Sequence, residues 1–387
     1  MKMLEGIRIV DMSSVIFGPY ATQMLADMGA DVIKIEPPQG DMSRYIGKPA
    51  KTVGMGSTHM TVNRGKRSIV LDLKTPDDAE ILRQLLATAD VFFHNVRAQA
   101  MDRLGFGYDT VKAIKPDIIY VHGAGFGQDG PYADLQAYDD VIQAATGTTS
   151  LLSRVDGDPR PRYFPSLIAD KVAGHYGAQA ILAALVHKLR TGDGQHVEVP
   201  MFECFTNFML EEHLQAQTFD PPLGPIGYPR QLDPGRQPFP TADGFISIVP
   251  YTDEKILQLL DLLGGAHVLE DARFADGRTR FANITALYAE IAALTPARTT
   301  AAWMALFATS EIPAMVARDM ADIFNDPHLI ATGFFRMKEH PTEGRYREMA
   351  PPVRFSADGG RDIGLAPGLG EHSAEIREQL QRTPDAS

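Results

Sequence analysis

Apolar positions change period twice within the first 36 residues. Ile7-Arg8-Ile9-Val10-Asp11-Met12 is a short β-rich run, Ser13 to Gly18 reads as a loop, and Pro19 suits a first helical turn. Ala21, Met24, Leu25 and Met28 then recur at i, i+3, i+4 and i+7, the spacing of a core-facing helix that Gly29 is placed to end. Val32-Ile33-Lys34-Ile35 returns to strand and closes at Glu36-Pro37-Pro38. Strand, helix, strand predicts a βαβ unit with a right-handed parallel crossover.

The alternation continues. Ser68 to Leu73, Val91 to His94 and Ile118 to His122 read as strands, and Thr75-Pro76-Asp77-Asp78 opens a helix with a cap, a proline and early acids. Val172 to Leu189 is apolar nearly all round, which predicts a helix buried on every side, with Ala173, Gly174, Gly177 and Ala178 keeping its first turns thin. A strand over His196 to Val199 and a helix from Met201 follow. The pattern predicts an α/β protein with a Rossmann-like, doubly wound large domain, whose ligands sit beyond the strand carboxyl ends. That domain is expected over residues 1–220, with a Pro/Gly-rich linker over 221–240. A smaller α+β domain is expected over 241–330, and the C-terminal segment 331–387 is expected to return to the large domain. In the small domain, Phe239 to Val249 with Asp243-Gly244 between suggests a hairpin, and helices are expected over Asp253–Leu263, Ile284–Ala293 and Thr299–Phe307. Beyond Met337 the next strong helix signal is Ser373 to Leu380.

Charge narrows the chemistry. The 387 residues carry a net charge of −12, which argues against nucleic acid as a partner but leaves room for one small anion on a local basic cluster such as Asn63-Arg64-Gly65-Lys66-Arg67. No window has the apolar length of a membrane span, and Met1 to Gly6 lacks the apolar core of a signal peptide, so a cytoplasmic protein with no membrane partner is expected. Cys204 is the one cysteine, which excludes an intrachain disulfide and reads as a core thiol. No metal site is expected, since the 11 histidines show no zinc-like spacing. There is no Walker loop and no Gly-x-Ser-x-Gly elbow. The first βα turn holds only Gly18, so the dinucleotide fingerprint fails, and the Gly123-x-Gly125-x-Gly127 triplet is a weak signal. His94 and His122 end strands on the expected ligand side.

One carboxylate stands out. Asp170, in Tyr163-Phe164-Pro165-Ser166-Leu167-Ile168-Ala169-Asp170-Lys171, sits at the mouth of the apolar helix. On local pattern alone it reads as an N-cap.

Longer runs carry a more specific signal. Leu4-Glu5-Gly6-Ile7-Arg8-Ile9-Val10-Asp11, Gly18-Pro19-Tyr20-Ala21 through Val32-Ile33-Lys34-Ile35-Glu36, and Asn63-Arg64-Gly65-Lys66-Arg67-Ser68 open a series. It continues through Asp102-Arg103-Leu104-Gly105, Gly125-Phe126-Gly127-Gln128-Asp129-Gly130-Pro131, Thr191-Gly192-Asp193-Gly194-Gln195 and Gly370-Glu371-His372-Ser373. Together they resemble, over nearly the whole chain, the class III CoA-transferases (CaiB/BaiF), a family that includes formyl-CoA:oxalate and carnitine-type CoA-transferases and the related α-methylacyl-CoA racemases.

The resemblance implies that Asp170 is the catalytic nucleophile, attacking an acyl-CoA thioester to give an aspartyl anhydride and then an aspartyl-CoA thioester. A carboxylate with a pKa near ~4 needs no general base. Coenzyme A and acyl-CoA are then substrates rather than a resident cofactor, with a small carboxylic acid as the second partner. The resemblance places the coenzyme against Val15, Ile16 and Phe17, against Leu71 and Lys74, against Asn95, Val96 and Arg97, and against Arg103 and Tyr138. It also implies an interlocked homodimer, each chain threading through a ring made by the other.

Three departures matter. Pro37 and Gln136 stand where formyl-CoA transferases carry an arginine and a lysine, which makes Arg44, Arg64 and Arg67 the candidates for those phosphate contacts. The tetraglycine loop of those enzymes is missing, which argues against formate and oxalate as substrates. In the run that carries the racemase base, Ala137-Tyr138-Asp139-Asp140, Tyr138 replaces histidine. Transferase is therefore expected over racemase unless His122 or His175 substitutes, with a non-catalytic CoA-binding protein as the other alternative.

Overall fold

In the computed structural model, residues 2–357 and 363–382 are described; Met1 and the last five residues of the expected C-terminal segment lie outside them. In chain order the elements begin β1 (Arg8–Met12), α1 (Phe17–Asp27), β2 (Asp31–Glu36), α2 (Ser57–Val62), β3 (Arg67–Val70) and α3 (Pro76–Ala87). They continue through β4 (Val91–His94), α4 (Ala98–Leu104), α5 (Tyr108–Ile114), β5 (Ile119–Ala124), α6 (Asp139–Ala145), α7 (Leu151–Asp156), α8 (Ile168–Thr191), β6 (Gln195–Pro200) and α9 (Met201–His213).

β1 to β6 form one parallel sheet in the order β3-β2-β1-β4-β5-β6. Side chains alternate across it: Ile9, Val32, Phe93 and Val121 enter the core under α1 and α8, while Val10, Ile33, Phe92 and Tyr120 enter the core under α3 and α5. Strands covered on both faces are largely apolar, which is why β4 and the start of β5 show in the sequence as runs rather than alternations. The strand order reverses direction between β1 and β4, and a doubly wound sheet opens its ligand crevice at that point.

α8 departs from the expectation of burial on every side. Lys171, His175, Gln179 and Ala183 form an exposed stripe, and Val186 and Leu189 are 54% and 78% exposed. A helix layered on a sheet has only one face covered. On that face Gly174 lets α1 pack closely, because a Cβ there would stand 3.0 Å from the Phe17 carbonyl oxygen and push the helices slightly apart.

Two compact units divide the chain. The first joins residues 1–149, 163–211 and 331–387, and includes the antiparallel hairpin of β10 (Phe335–His340) and β11 (Gly344–Met349) and the helix α15 (Ser373–Arg382). The second joins residues 150–162 and 212–330. It holds the antiparallel sheet β7 (Phe239–Pro240), β8 (Phe245–Ile248) and β9 (Ala314–Val316), with α10 (Asp253–Leu262), α11 (Gly277–Ala282), α12 (Ile284–Leu294) and α13 (Thr300–Phe307) around Trp303, Phe274 and Leu259. A short helix, α14 (Pro327–Ala331), ends it. The expected hairpin is β7–β8, turning at Asp243, whose carboxylate accepts the Thr300 N–H at 2.7 Å. Among the described residues no helix is long and apolar enough to cross a membrane.

Candidate active site

Asp170 lies in the first turn of α8, two residues inside it, so it is not the N-cap that the local pattern suggests. Leu167 holds the cap position and supplies no side-chain acceptor. The acceptor comes from α6: Asp139 Oδ2 takes the N–H of Ala169 at 2.7 Å and that of Asp170 at 3.1 Å. A cap needs a carboxylate near two orphan amides, and nothing requires that carboxylate to be local. Asp139 is not among the site residues the sequence suggests; its one signal there is its place in Ala137-Tyr138-Asp139-Asp140, the run that carries the racemase base.

Gln143 fixes this acceptor. Its Nε2 donates to Asp139 Oδ1 at 2.5 Å and to the Ser166 carbonyl at 3.2 Å, while its Oε1 accepts the Phe164 N–H at 2.9 Å. One buried amide thereby ties α6 to the segment that delivers Asp170.

Freed from capping, Asp170 is a 9% exposed residue, and among the described residues no group donates a hydrogen bond to its carboxylate. Burial, with the Asp139 charge added, pushes its pKa up to about 7 rather than leaving it near the usual carboxylate range. The helix N-terminus favours the anion, so the group stays titratable in the neutral range. Other charged groups nearby along the chain face solvent: Asp140 and His175 are exposed, and Lys171 Nζ donates to Ser166 Oγ. A half-ionised carboxylate without hydrogen-bond donors is more basic than a solvated one and correspondingly more nucleophilic.

The residues expected around a coenzyme gather beyond the strand ends. Val15, Ile16 and Phe17 follow β1, Leu71 and Lys74 follow β3, and Asn95, Val96 and Arg97 follow β4. Ile16, Phe17 and Leu71 are buried, whereas Lys74, Arg97 and Arg103 are exposed and make no ion pair among the described residues. Tyr138 is 63% exposed immediately before Asp139. Val15 has φ +66°, a left-handed conformation that costs a β-branched residue on the order of 1–3 kcal/mol. Gly18 is required behind it, because a Cβ would fall 2.2 Å from that of Ser13.

The alternative phosphate ligands do not survive. Arg44 is buried and forks onto Glu36 through Nε and Nη2, both at 2.6 Å. Arg64 pairs with Asp27 at 2.7 Å and Arg67 with Asp31 at 2.7 Å, so all three guanidiniums are occupied within the fold. The glycine-rich turn is likewise taken: Gly127 N–H donates to Glu203 and Gln128 N–H to Glu198, both at 3.0 Å.

The strand-end histidines are also structural. His94 is buried, with its ring against the Tyr120 hydroxyl at 2.8 Å, and His122 stacks on it at 4.9 Å. Burial holds the pKa of His122 down at about 4, so the ring is neutral at pH 7. His175, on the exposed stripe of α8, approaches the Tyr20 hydroxyl at 3.4 Å.

A family model described as CoA-transferase family III matches residues 4–373. The chain is 33% identical over 389 residues to a succinate–glutarate CoA-transferase of Agrobacterium fabrum, covering 98% of this chain and 96% of that protein. It is 30% identical to succinyl-CoA:glutarate CoA-transferase of Homo sapiens, covering 99% of this chain and 87% of that protein. A crystal structure of a CAIB/BAIF family protein from Brucella suis superposes with a TM-score of 0.83 at 32% identity, covering 98% of this chain and all of that one.

Proposed function

The chain belongs to CoA-transferase family III, and from that premise we propose that it moves coenzyme A between two carboxylic acids through covalent intermediates on Asp170. The observation that carries this reading is a buried carboxylate at a helix N-terminus, without a hydrogen-bond donor among the described residues, whose capping duty has been handed to Asp139. The Asp170 carboxylate attacks the thioester carbon of a donor acyl-CoA, the C–S bond breaks, and an aspartyl mixed anhydride and CoA thiolate result. The thiolate attacks the Asp170 carbonyl carbon, releasing the donor as a free carboxylate and leaving an aspartyl-CoA thioester. An acceptor carboxylate then repeats the two steps in reverse order. Thioester is exchanged for thioester, so the overall reaction is close to balanced.

The coenzyme is read into the β1/β4 crevice, with Lys74, Arg97 and Arg103, which make no ion pair among the described residues, as cations for its phosphates. Substrates of the dicarboxylate class are favoured, since the relatives described above act on succinate and glutarate. The racemase reading is disfavoured, with Tyr138 at the expected position and His122 stacked within the fold, which leaves His175, exposed on α8, as its one named candidate base. Incubation with succinyl-CoA and glutaryl-CoA, followed by peptide mass spectrometry, tests the proposal. An acyl or CoA adduct on Asp170 and transfer to added dicarboxylate are expected; coenzyme binding with no adduct from any donor would count against it.

The ionisation of Asp170 should be visible in the kinetics. With a pKa of about 7, kcat/KM falls as pH drops, by about 100-fold between the plateau and pH 5. Asp139→Asn keeps an acceptor for the Ala169 and Asp170 amides but removes the charge, so the acidic limb moves to lower pH. A limb that stays in place sinks the coupling.

The proposal extends to an interlocked homodimer, supported by the apolar side chains that α8 leaves exposed at Val186 and Leu189. Sedimentation at micromolar concentration is expected to give a dimer that dilution does not dissociate, and a monomer counts against it.

A further inference from the structure

Side chains hold both backbone groups of Ser13 and of Ser14, and the N–H of Val15, in the loop between β1 and α1. Ser13 N–H donates to Asp11 Oδ1 at 3.0 Å, and the Ser13 carbonyl accepts Lys34 Nζ at 2.9 Å. Asn95, just beyond β4, spans the crevice with both ends of its amide: Oδ1 accepts Ser14 N–H at 2.9 Å and Nδ2 donates to the Ser14 carbonyl at 3.0 Å. Val15 N–H, in the left-handed conformation, donates to Asp41 Oδ1 at 3.0 Å.

Asp41 and Lys34 are themselves buried and paired at 2.8 Å. Ser43 N–H supports Asp41 at 3.0 Å, and the Asp41 N–H runs to Glu36 at 3.1 Å. Lys34 therefore does two things at once: it neutralises the acceptor of Val15 and pulls on the carbonyl two residues earlier. A buried ion pair is a poor device for stability, because desolvating both charges offsets most of their attraction. This one is spent on a strained residue at the switch point of the sheet.

Resting on the transferase reading, we propose that Lys34 and Asp41 are positioning residues for coenzyme A: they hold Val15 left-handed so that the loop before α1 is set for the coenzyme before it arrives. Pre-set loops bind more tightly because ordering is not charged to binding. If Val15 relaxes to negative φ, Ile16 and Phe17 must turn with it, and the free protein then occupies the competent loop only part of the time.

The test uses Lys34→Met with Asp41→Ala, which removes both charges and leaves no unpaired buried ion, with and without Val15→Gly. Calorimetric titration with free coenzyme A gives the affinity, and transferase kinetics give KM and kcat. The double variant is expected to weaken coenzyme A by about tenfold, or about 1.4 kcal/mol, with the loss in KM rather than kcat. Glycine adopts positive φ without strain, so in the Val15→Gly background, where any contact of the Val15 side chain is already lost, the double substitution is expected to cost less than about threefold. A defect of folding alone would not be repaired by a glycine. Unchanged affinity in the double variant, or a loss that glycine does not relieve, overturns the proposal. Should the double variant not fold, Val15→Pro tests the same conformation with Lys34 and Asp41 left in place, removing only the Val15 N–H that Asp41 accepts. Proline is locked near φ −65°, and an unchanged affinity there overturns the proposal as well. A wild-type chain that binds no coenzyme A removes the transferase reading and this proposal together; wild-type transfer with an indifferent double variant removes this one alone.

Discussion

Asp170→Asn is expected to abolish CoA transfer, lowering kcat by on the order of 10⁴-fold or more, while coenzyme A still binds. The size follows from the proposed role: an amide oxygen does not form the anhydride, and there is no second route once the covalent intermediate is lost. Asparagine is chosen because it separates two readings that alanine would confuse. If Asp170 served as a helix cap, asparagine would replace it with little loss, being as good a cap as aspartate. The structure has already moved that duty to Asp139, through the amides of Ala169 and Asp170, so the fold should tolerate the change. Steady-state transfer from succinyl-CoA, paired with calorimetric binding of coenzyme A, makes the distinction. Retained activity would return Asp170 to a structural role; loss of binding along with activity would mean that the site had not survived the substitution.

The large sheet was legible because its strands are short apolar runs broken by helices with recognisable caps. Thr75 and Pro76 start α3 as expected, with the Thr75 side chain accepting Asp78 N–H. The β10–β11 hairpin was missed for the opposite reason: Arg336, Lys338, Glu339, Arg345 and Arg347 make it read as a polar loop, and its pairing is visible only in register. The basic knot misled in a similar way. Arg64 and Arg67 lie beside each other in sequence, but their partners, Asp27 and Asp31, lie in an earlier helix and strand. A cluster of cations looks like a ligand site until the anions that neutralise it are located. Asp170 was found by resemblance, and its environment was not: a pKa of about 7 depends on burial and on Asp139, 31 positions earlier, which no local window joins.

That environment has a cost that can be measured. The folded pKa of Asp170, about 7, lies above the ~3.9 of an unfolded aspartate, so the native state binds this proton more tightly than the unfolded state does. The resulting stabilisation is complete below about pH 4 and is lost as pH rises through 7. Asp170→Asn carries no charge to desolvate at any pH. It is therefore expected to match the wild type near pH 4 and to exceed it at pH 8, by up to on the order of 4 kcal/mol. Urea unfolding at the two pH values measures the difference directly, and only its pH dependence belongs to Asp170; a constant offset would come from packing. Asp139→Asn should capture part of the same gain, since burial is the larger cause of the raised pKa and the Asp139 charge the smaller. If Asp170→Asn gains nothing between pH 4 and pH 8, the carboxylate is ionised without strain and the acidic limb of the rate profile needs another group. If it gains, the residue that makes the protein less stable at neutral pH is the one proposed to carry the acyl group, and the basicity that destabilises the fold is what the reaction uses.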